Sequence, residues 1–307
     1  MKSQIAQRSL LVDGNSVGWR AFHSNAGLSY GGVSTTMAYV FIRMLRAALD
    51  TEEEIDGCVV VWDYGKSKFR TTLYPEYKAN RERTEEREAD YAIFHEQQAW
   101  LSEVLPLLGI TISRCLHWEA DDVLAFWTKV RSRQNLHSVV MTGDHDLVQL
   151  LRPKVSILNS DGKSRTTVQS LWDEWGITPK QWAIARTLCK DSSDNITGIP
   201  GIGLKTAIKI IKAGWPNLDW TSQPGITDRL VKLVTEHHAI ITRNEQLMNL
   251  SAAALMLAKE LHTKESILEF GVGQLDEKQA KFNMVQKGMA ELIANWTSFV
   301  TPFRKLV

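Results

Sequence analysis

Three short apolar runs in this chain each end in aspartate: RSLLVD at 8–13, CVVVWD at 58–63 and SVVMTGD at 138–144. Runs of four to eight apolar residues with little polar alternation suit strands covered on both faces, the kind that parallel sheets contain. TISRC (111–115) and VSILN (155–159) read as two further strands. Helical patterns fall between them. One runs from about 34 to 49, with Ser34 as its N-cap and Val40, Phe41, Met44, Leu45 and Ala48 on one face. Others cover roughly 87–108 and 119–130. Strands alternating with helices predict an α/β fold, a mostly parallel sheet with helices on both faces. From about residue 170 strands become scarce. A first unit over 1–170 and a helical region over 171–307 are therefore expected. The latter includes a helix opening at Pro179, where proline suits the first turn, and a GIPGIG loop (198–203) leading into another helix.

In an open α/β sheet, ligands bind beyond the carboxyl ends of the strands. Asp13, Asp63 and Asp144 should therefore converge on one crevice. Each alone is as readily explained as the N-cap of the next helix. The other acids tip the balance. Glu119, Asp121 and Asp122 stand together at a helix start, and Asp144 and Asp146 form a D-x-D pair. Asp191 and Asp194 follow the helix over 180–190, where the helix dipole disfavours carboxylates. Two like charges about 4 Å apart repel by roughly 4 kcal/mol at an effective dielectric near 20. Divalent cations relieve such a cost, and oxygen-only ligands suit Mg²⁺ or Mn²⁺. A double cluster points to two ions, the arrangement used for in-line phosphodiester displacement.

The whole chain gives no electrostatic sign of a nucleic-acid partner, with 36 basic against 35 acidic residues in 307. Any such function must rest on local separation of charge. Two segments show it. Residues 64–83 carry Lys66, Lys68, Arg70, Lys78, Arg81 and Arg83 against Glu76 and Glu82, with Tyr74 and Tyr77 interleaved. Cations and aromatic rings together suit single-stranded nucleic acid. Because the segment directly follows the strand that delivers Asp63, Lys78 and Arg81 are the candidates for touching the phosphate being cut. In the second segment, Gly198, Gly201 and Gly203 precede a helix on which Lys205, Lys209 and Lys212 share a face. That pattern fits gripping of a duplex backbone. It is not a phosphate-binding P-loop, because Leu204 follows Gly203 where that motif needs lysine.

Taken in order, LLVDGNS (10–16), VVVWD (59–63), FR…YPEYKANR (69–81), EADDVLA (119–125), TGDHDLVQLL (142–151) and DSSDNITGIPGIGLKTA (191–207) resemble the flap endonuclease or 5′ nuclease family, especially its compact bacteriophage members. The likeness spans roughly residues 8–212. It implies a PIN-like nuclease domain, a helical arch near 76–98 for a 5′ single strand, and a helix–three-turn–helix element near 184–213. It assigns Asp13, Asp63, Glu119 and Asp121 to one metal. Asp144, Asp146, Asp191 and Asp194 go to a second, with Asp122 adjacent. Lys78 and Arg81 match the family's lysine and arginine, and Tyr77 its stacking tyrosine. Arg20 and Arg70 are implied phosphate contacts. Gly201, Gly203, Lys205, Thr206 and Lys209 fall in the duplex-binding element, whose loop (198–203) would hold K⁺ through backbone carbonyls. The run Glu85–Asp90 in the arch does not look like a phosphate track.

The expectation is a two-Mg²⁺ (or Mn²⁺) 5′–3′ exonuclease and flap endonuclease on branched or 5′-ended DNA, with some RNase H-like action on RNA–DNA hybrids. It would be a standalone monomer. Two rivals are a single-strand PIN-type ribonuclease, which would lack the lysine-faced glycine loop, and a branched-DNA-binding module without metals, for which the second acidic cluster would have no use. No apolar run reaches the roughly 20 residues a membrane span needs. The scattered Cys58, Cys115 and Cys189 fit a reduced, cytoplasmic chain.

Overall fold

The computed structural model describes residues 6–52, 54–81, 84–216 and 218–306. Glu82 and Arg83 of the basic segment lie outside the described residues. Strands run β1 Arg8–Asp13, β2 Ser29–Tyr30, β3 Val33–Ser34, β4 Gly57–Val61, β5 Thr111–Cys115, β6 His137–Thr142, β7 Val155–Asn159, β8 Arg165–Thr166 and β9 Leu268–Gly271. Seven of them form one sheet in the order β8-β7-β6-β1-β4-β5-β9, while β2 and β3 form a separate small hairpin. The pairings β7–β6, β6–β1, β1–β4 and β4–β5 are parallel, and the edge strands β8 and β9 are antiparallel.

Alternation along the strands builds two cores. Leu10, Val12, Val60, Val139 and Met141 face the helices Gly14–Phe22, Thr36–Thr51 and Glu85–Val104 and the C-terminal residues around Phe299 and Phe303. Leu11, Val61 and Val140 face Ala120–Arg133, Pro179–Leu188, Leu204–Lys212 and Leu250–Thr263. Each such side chain, wholly removed from water, contributes about 1.5–3 kcal/mol. Double burial is why these strands read as continuous apolar runs.

The sequence misleads in three places. Ser34 does not cap the second helix. It belongs to β3, and the helix starts at Thr36 behind Thr35, whose side chain makes no capping bond. Asp191 and Asp194 are not at a helix end, because Pro179–Leu188 stops at Leu188 and both acids sit in the following turns. The region after 170 also returns a strand to the sheet: β9 pairs with β5, Ile112 opposite Gly271. With only four mostly exposed residues, β9 carries too little apolar patterning to be seen in advance.

The strand order decides the site. Because β6, β1 and β4 are neighbours and parallel, their carboxyl ends lie side by side. Gly14, directly after Asp13, makes the tight exit possible: a Cβ there would meet the Trp62 ring at 2.5 Å and the Val61 carbonyl at 2.7 Å.

Candidate metal centre and nucleic-acid interface

Asp13 ends β1 and also caps the next helix. Its Oδ1 accepts the Ser16 N–H at 3.0 Å and its Oδ2 the Thr142 hydroxyl at 2.8 Å. Asp63 follows β4. Its own N–H is held by Asn15 Oδ1 (2.8 Å), and its Oδ1 accepts the Ala120 N–H (2.7 Å), which ties it to the start of the helix bearing Asp121. Asp144 caps the 3-10 turn His145–Leu150 by accepting the Asp146 N–H (2.7 Å).

These carboxylates sense one another. Burial, then Asp144 and Asp63 against the help of Ser16 and Thr142, pushes the Asp13 carboxyl up to about 7. Burial and Asp146 raise Asp144 to about 6. Asp121 is held well above the ordinary carboxylate range by burial and by Asp144, Asp13, Asp63 and Glu119 together. Burial and Glu119 likewise raise Asp63. Asp13 at the end of β1, Asp63 and Asp144 two residues beyond β4 and β6, and Asp121 at a helix start therefore share one crevice.

Basic side chains reach into this crevice. Lys78 Nζ donates to Glu119 Oε1 at 2.7 Å and lies 3.7 Å from Asp194 Oδ2. The Lys78 backbone is left-handed (φ 56°), and its N–H donates to the Asp194 carbonyl at 2.9 Å. Arg81 pairs with Asp194 at 3.2 Å. Burial opposes charge on Glu119, but Lys78 and then Arg70 outweigh it and hold the carboxyl below its ordinary value. Arg186 bridges Asp146 (2.6 Å) and Asp191 (2.8 Å). Among the described residues no three or more acidic, histidine or cysteine side chains are arranged to hold a metal ion as they stand. Lys78 and Arg186 stand among the acids instead. The donor set is nonetheless all oxygen, and its uncompensated repulsion centres on Asp13, Asp121 and Asp144, so it suits hard divalent cations.

Three expected site residues have other work. Asp122 is fully buried, and its two oxygens take both terminal nitrogens of Arg70 at 2.6 and 2.7 Å. It also completes the capping box at Glu119. It is not free to bind metal. Arg70, 3% exposed, also donates to the Leu247 carbonyl (2.9 Å) and cannot reach a phosphate. Tyr77 is not an open stacking platform. Its ring packs with Ile196, Leu247 and Met248, and its hydroxyl lies 2.9 Å from both Glu119 and Asp194. Spacing alone could not separate an interface arginine from a buried one. Because the Arg70–Asp122 pair is desolvated, Arg70→Met should destabilise the fold by about 3–5 kcal/mol by leaving Asp122 unpaired. Arg70→Met/Asp122→Leu should recover most of that in denaturant unfolding. An unchanged midpoint for the single variant would refute the account.

Arg186, Thr142 and Asn15 went unnoticed in the sequence. Arg186 carried a readable signal, a cation in the last turn of a helix directly before two aspartates. Where the arch is expected, near 76–98, turns cover 75–80 and the helix Glu85–Val104 begins behind Thr84. Glu85, Glu86 and Glu88 occupy that helix's first turn behind the Thr84 cap, where the helix dipole favours them. Arg20 is exposed and lies 3.3 Å from the Ser160 hydroxyl.

The glycine loop joins Pro179–Leu188 to Leu204–Lys212. Gly198 passes so close to the backbone of Cys189 and Lys190 that a Cβ would sit 2.2 Å away. Gly201 is left-handed (φ 77°), and Gly203 starts the second helix. Asn244 ties the loop down by donating to the carbonyls of Thr187 and Thr197 at 2.9 Å each. Lys205 and Lys209 are exposed, Thr206 half-buried beside them.

Residues 8–176 match the family described as 5'-3' exonuclease, N-terminal resolvase-like domain. The chain belongs to that family. It is 37% identical over 213 residues to the thermostable DNA polymerase I of Thermus aquaticus, an alignment covering 69% of this chain and 24% of that one. To DNA polymerase I of Mycobacterium leprae it is 32% identical over 255 residues, covering 78% and 27%. The chain thus spans about a quarter of the length of these polymerases. Among solved structures, the bacteriophage T5 5'-exonuclease with bound zinc superposes with a TM-score of 0.68 at 25% identity, over 81% of this chain and 92% of that one. The catalytic core of Rad2 with a DNA substrate, at 16% identity and a TM-score of 0.55 over 94% and 91%, shares the fold. The fold is the PIN-like α/β architecture of this 5'-3' exonuclease and flap endonuclease family. Among the described residues no helix is long and apolar enough to cross a membrane.

Proposed function

We propose that this chain is a divalent-metal-dependent, structure-selective 5′ nuclease that cuts DNA at 5′ flaps and ends, and also the RNA strand of hybrids. The observation that carries the reading is the convergence of Asp13, Asp63, Glu119, Asp121 and Asp144 on one crevice, with Lys78 and Arg81 at its rim. Family membership and the metal-bearing T5 relative support it. Asp146 and Asp191, joined by Arg186, and Asp194, paired with Lys78 and Arg81, belong to the second group with Asp144. Two Mg²⁺ ions, with Mn²⁺ as a substitute, would be held by these acids and supply Lewis-acid stabilisation and an activated water.

The chain's own residues do the rest. Lys78 and Arg81 stabilise charge that develops on the scissile phosphate. The buried Arg70–Asp122 pair fixes the helix that offers Glu119 and Asp121, and Tyr77 orients Glu119 and Asp194. Lys205 and Lys209, with Thr206, hold the phosphates of a downstream duplex. The Gly198–Gly203 loop offers the carbonyls for K⁺. The 76–98 segment guides the 5′ strand, with Arg20 as a further contact. The molecule acts as a cytoplasmic monomer.

Chelator should abolish flap cleavage, and Mg²⁺ or Mn²⁺ should restore it. Stability tests the same site without catalysis. Asp13 titrates near 7 in the folded state but near 3.8 once unfolded. Between these values the folded chain binds more protons, so this contribution to stability falls as pH rises from about 4 to about 7. Mg²⁺ should raise the melting temperature more at pH 8 than at pH 5. An equal shift at both, or full activity in chelator, would remove the metal reading. The duplex grip is tested separately: Lys205→Ala/Lys209→Ala should lower the salt slope of duplex binding by up to about two units. An unchanged slope would make that stripe a solvated helix face.

A further inference from the structure

At the opposite end of the sheet from the carboxylates, a cavity of about 370 Å³ opens among the amino ends of β1, β6 and β7. Its walls include Arg8, His137, Arg152 and Lys154, with Thr167 and Gln169 from the start of the helix Val168–Trp175.

The cations here are poorly balanced. Arg152 donates its Nε to the Leu150 carbonyl at 3.1 Å, and among the described residues no carboxylate pairs with it. Among the described residues Lys154 reaches only the Asn135 carbonyl, at 2.8 Å. Arg8 is held by Glu52 and Glu54, yet among the described residues its buried Nε has no partner. Lys129 lies within electrostatic reach of Arg133 and Arg152. Burial, then Arg133 and Arg152, holds the Lys129 ammonium below its ordinary value, so these groups repel one another. In a chain of nearly balanced charge, this surplus is the counterpart of the acidic crevice at the other strand ends. The helix Val168–Trp175 adds to it. Thr167 accepts the Ser170 N–H at 3.1 Å, but the N–H groups of Val168 and Gln169 have no acceptor within a helix. Unsatisfied N–H groups at a helix start attract anions.

We propose that this cavity is a second phosphate-binding site, about one strand length (~20 Å) from the nuclease centre and distinct from the duplex grip. Arg152 and Lys154 supply charge, and the Val168 and Gln169 N–H groups supply direction. The volume admits a phosphate with a sugar attached. The phosphate comes either from a free nucleotide, such as a nuclease would release, or from a nucleic-acid strand that runs past the back of the sheet.

Inorganic phosphate and thymidine 5′-monophosphate are titrated calorimetrically into metal-free protein, and a single-stranded 12-mer is followed by fluorescence anisotropy in chelator. Arg152→Gln/Lys154→Gln should bind at least one of them about tenfold more weakly than wild type, with flap cleavage in Mg²⁺ unchanged. Gln169→Glu is the second variant. It places a carboxylate in the first turn, where a helix tolerates it, and should exclude the anion while keeping the fold. Loss confined to phosphate and the mononucleotide assigns the site to free nucleotide. Loss that includes the 12-mer assigns it to a strand. If both variants bind all three probes as wild type does, the proposal is overturned whatever the fate of the nuclease reading.

Discussion

Lys78→Ala should slow single-turnover cleavage of a flap substrate by about 10²–10³-fold, the usual cost of removing one preorganised charge-stabilising donor. Affinity for the same DNA should change by less than about threefold, as a transition-state role requires. The structure explains why this lysine matters. Its ammonium stands between Glu119 and Asp194, and its left-handed backbone is fixed by the N–H donated to the Asp194 carbonyl. Burial works against its charge, but Glu119 and Asp194 outweigh it and keep it protonated. It is therefore a fixed positive charge at the rim of the crevice. Alanine adds no new backbone strain, because lysine already occupies the left-handed conformation. Lys78→Arg should keep more of the rate than alanine. An alanine variant with the wild-type single-turnover rate would assign the charge-stabilising role elsewhere, Arg81 first.

The strands leading to Asp13, Asp63 and Asp144 were legible because double burial writes continuous apolar runs, although β4 and β6 stop two residues short of their aspartates; the order β6-β1-β4 was not legible. The helix start at Pro179 was legible because proline suits a first turn, whereas the cap expected at Ser34 failed because that residue joins the hairpin strand β3. What stayed hidden depends on contacts between distant segments. Arg70 and Asp122 are 52 residues apart, and each reads as a surface or site charge until the fold brings them together without water. Tyr77 was placed in the right segment with the wrong task, because its hydroxyl partners come from Glu119 and Asp194. The basic cavity was invisible for the same reason, since Arg8 starts β1 while Arg152 and Lys154 stand just before β7, far away in sequence.

Asp121→Asn should separate stability from function. Among the acids of the crevice, Asp121 faces Asp144, Asp13, Asp63 and Glu119, and among the described residues no donor reaches its carboxylate. An amide of the same shape removes that repulsion, so the metal-free variant should melt at a higher temperature than wild type near pH 8. Near pH 4 the raised carboxyls of Asp13, Asp121 and Asp144 are largely protonated, and the gain should shrink. Cleavage should fall by about 10³-fold or more, corresponding to several kcal/mol of metal-dependent transition-state stabilisation. DNA affinity should hold or rise, because one negative charge near the phosphates is gone. Residues placed only for stability do not behave this way: replacing them lowers melting temperature and activity together. The site holds like charges close together at a cost to the fold, and strain of that kind persists where a ligand supplies the compensation. Thermal melts at both pH values beside single-turnover rates would decide it. A variant that melts lower than wild type at pH 8, or that still cleaves at the wild-type rate, would remove Asp121 from the centre.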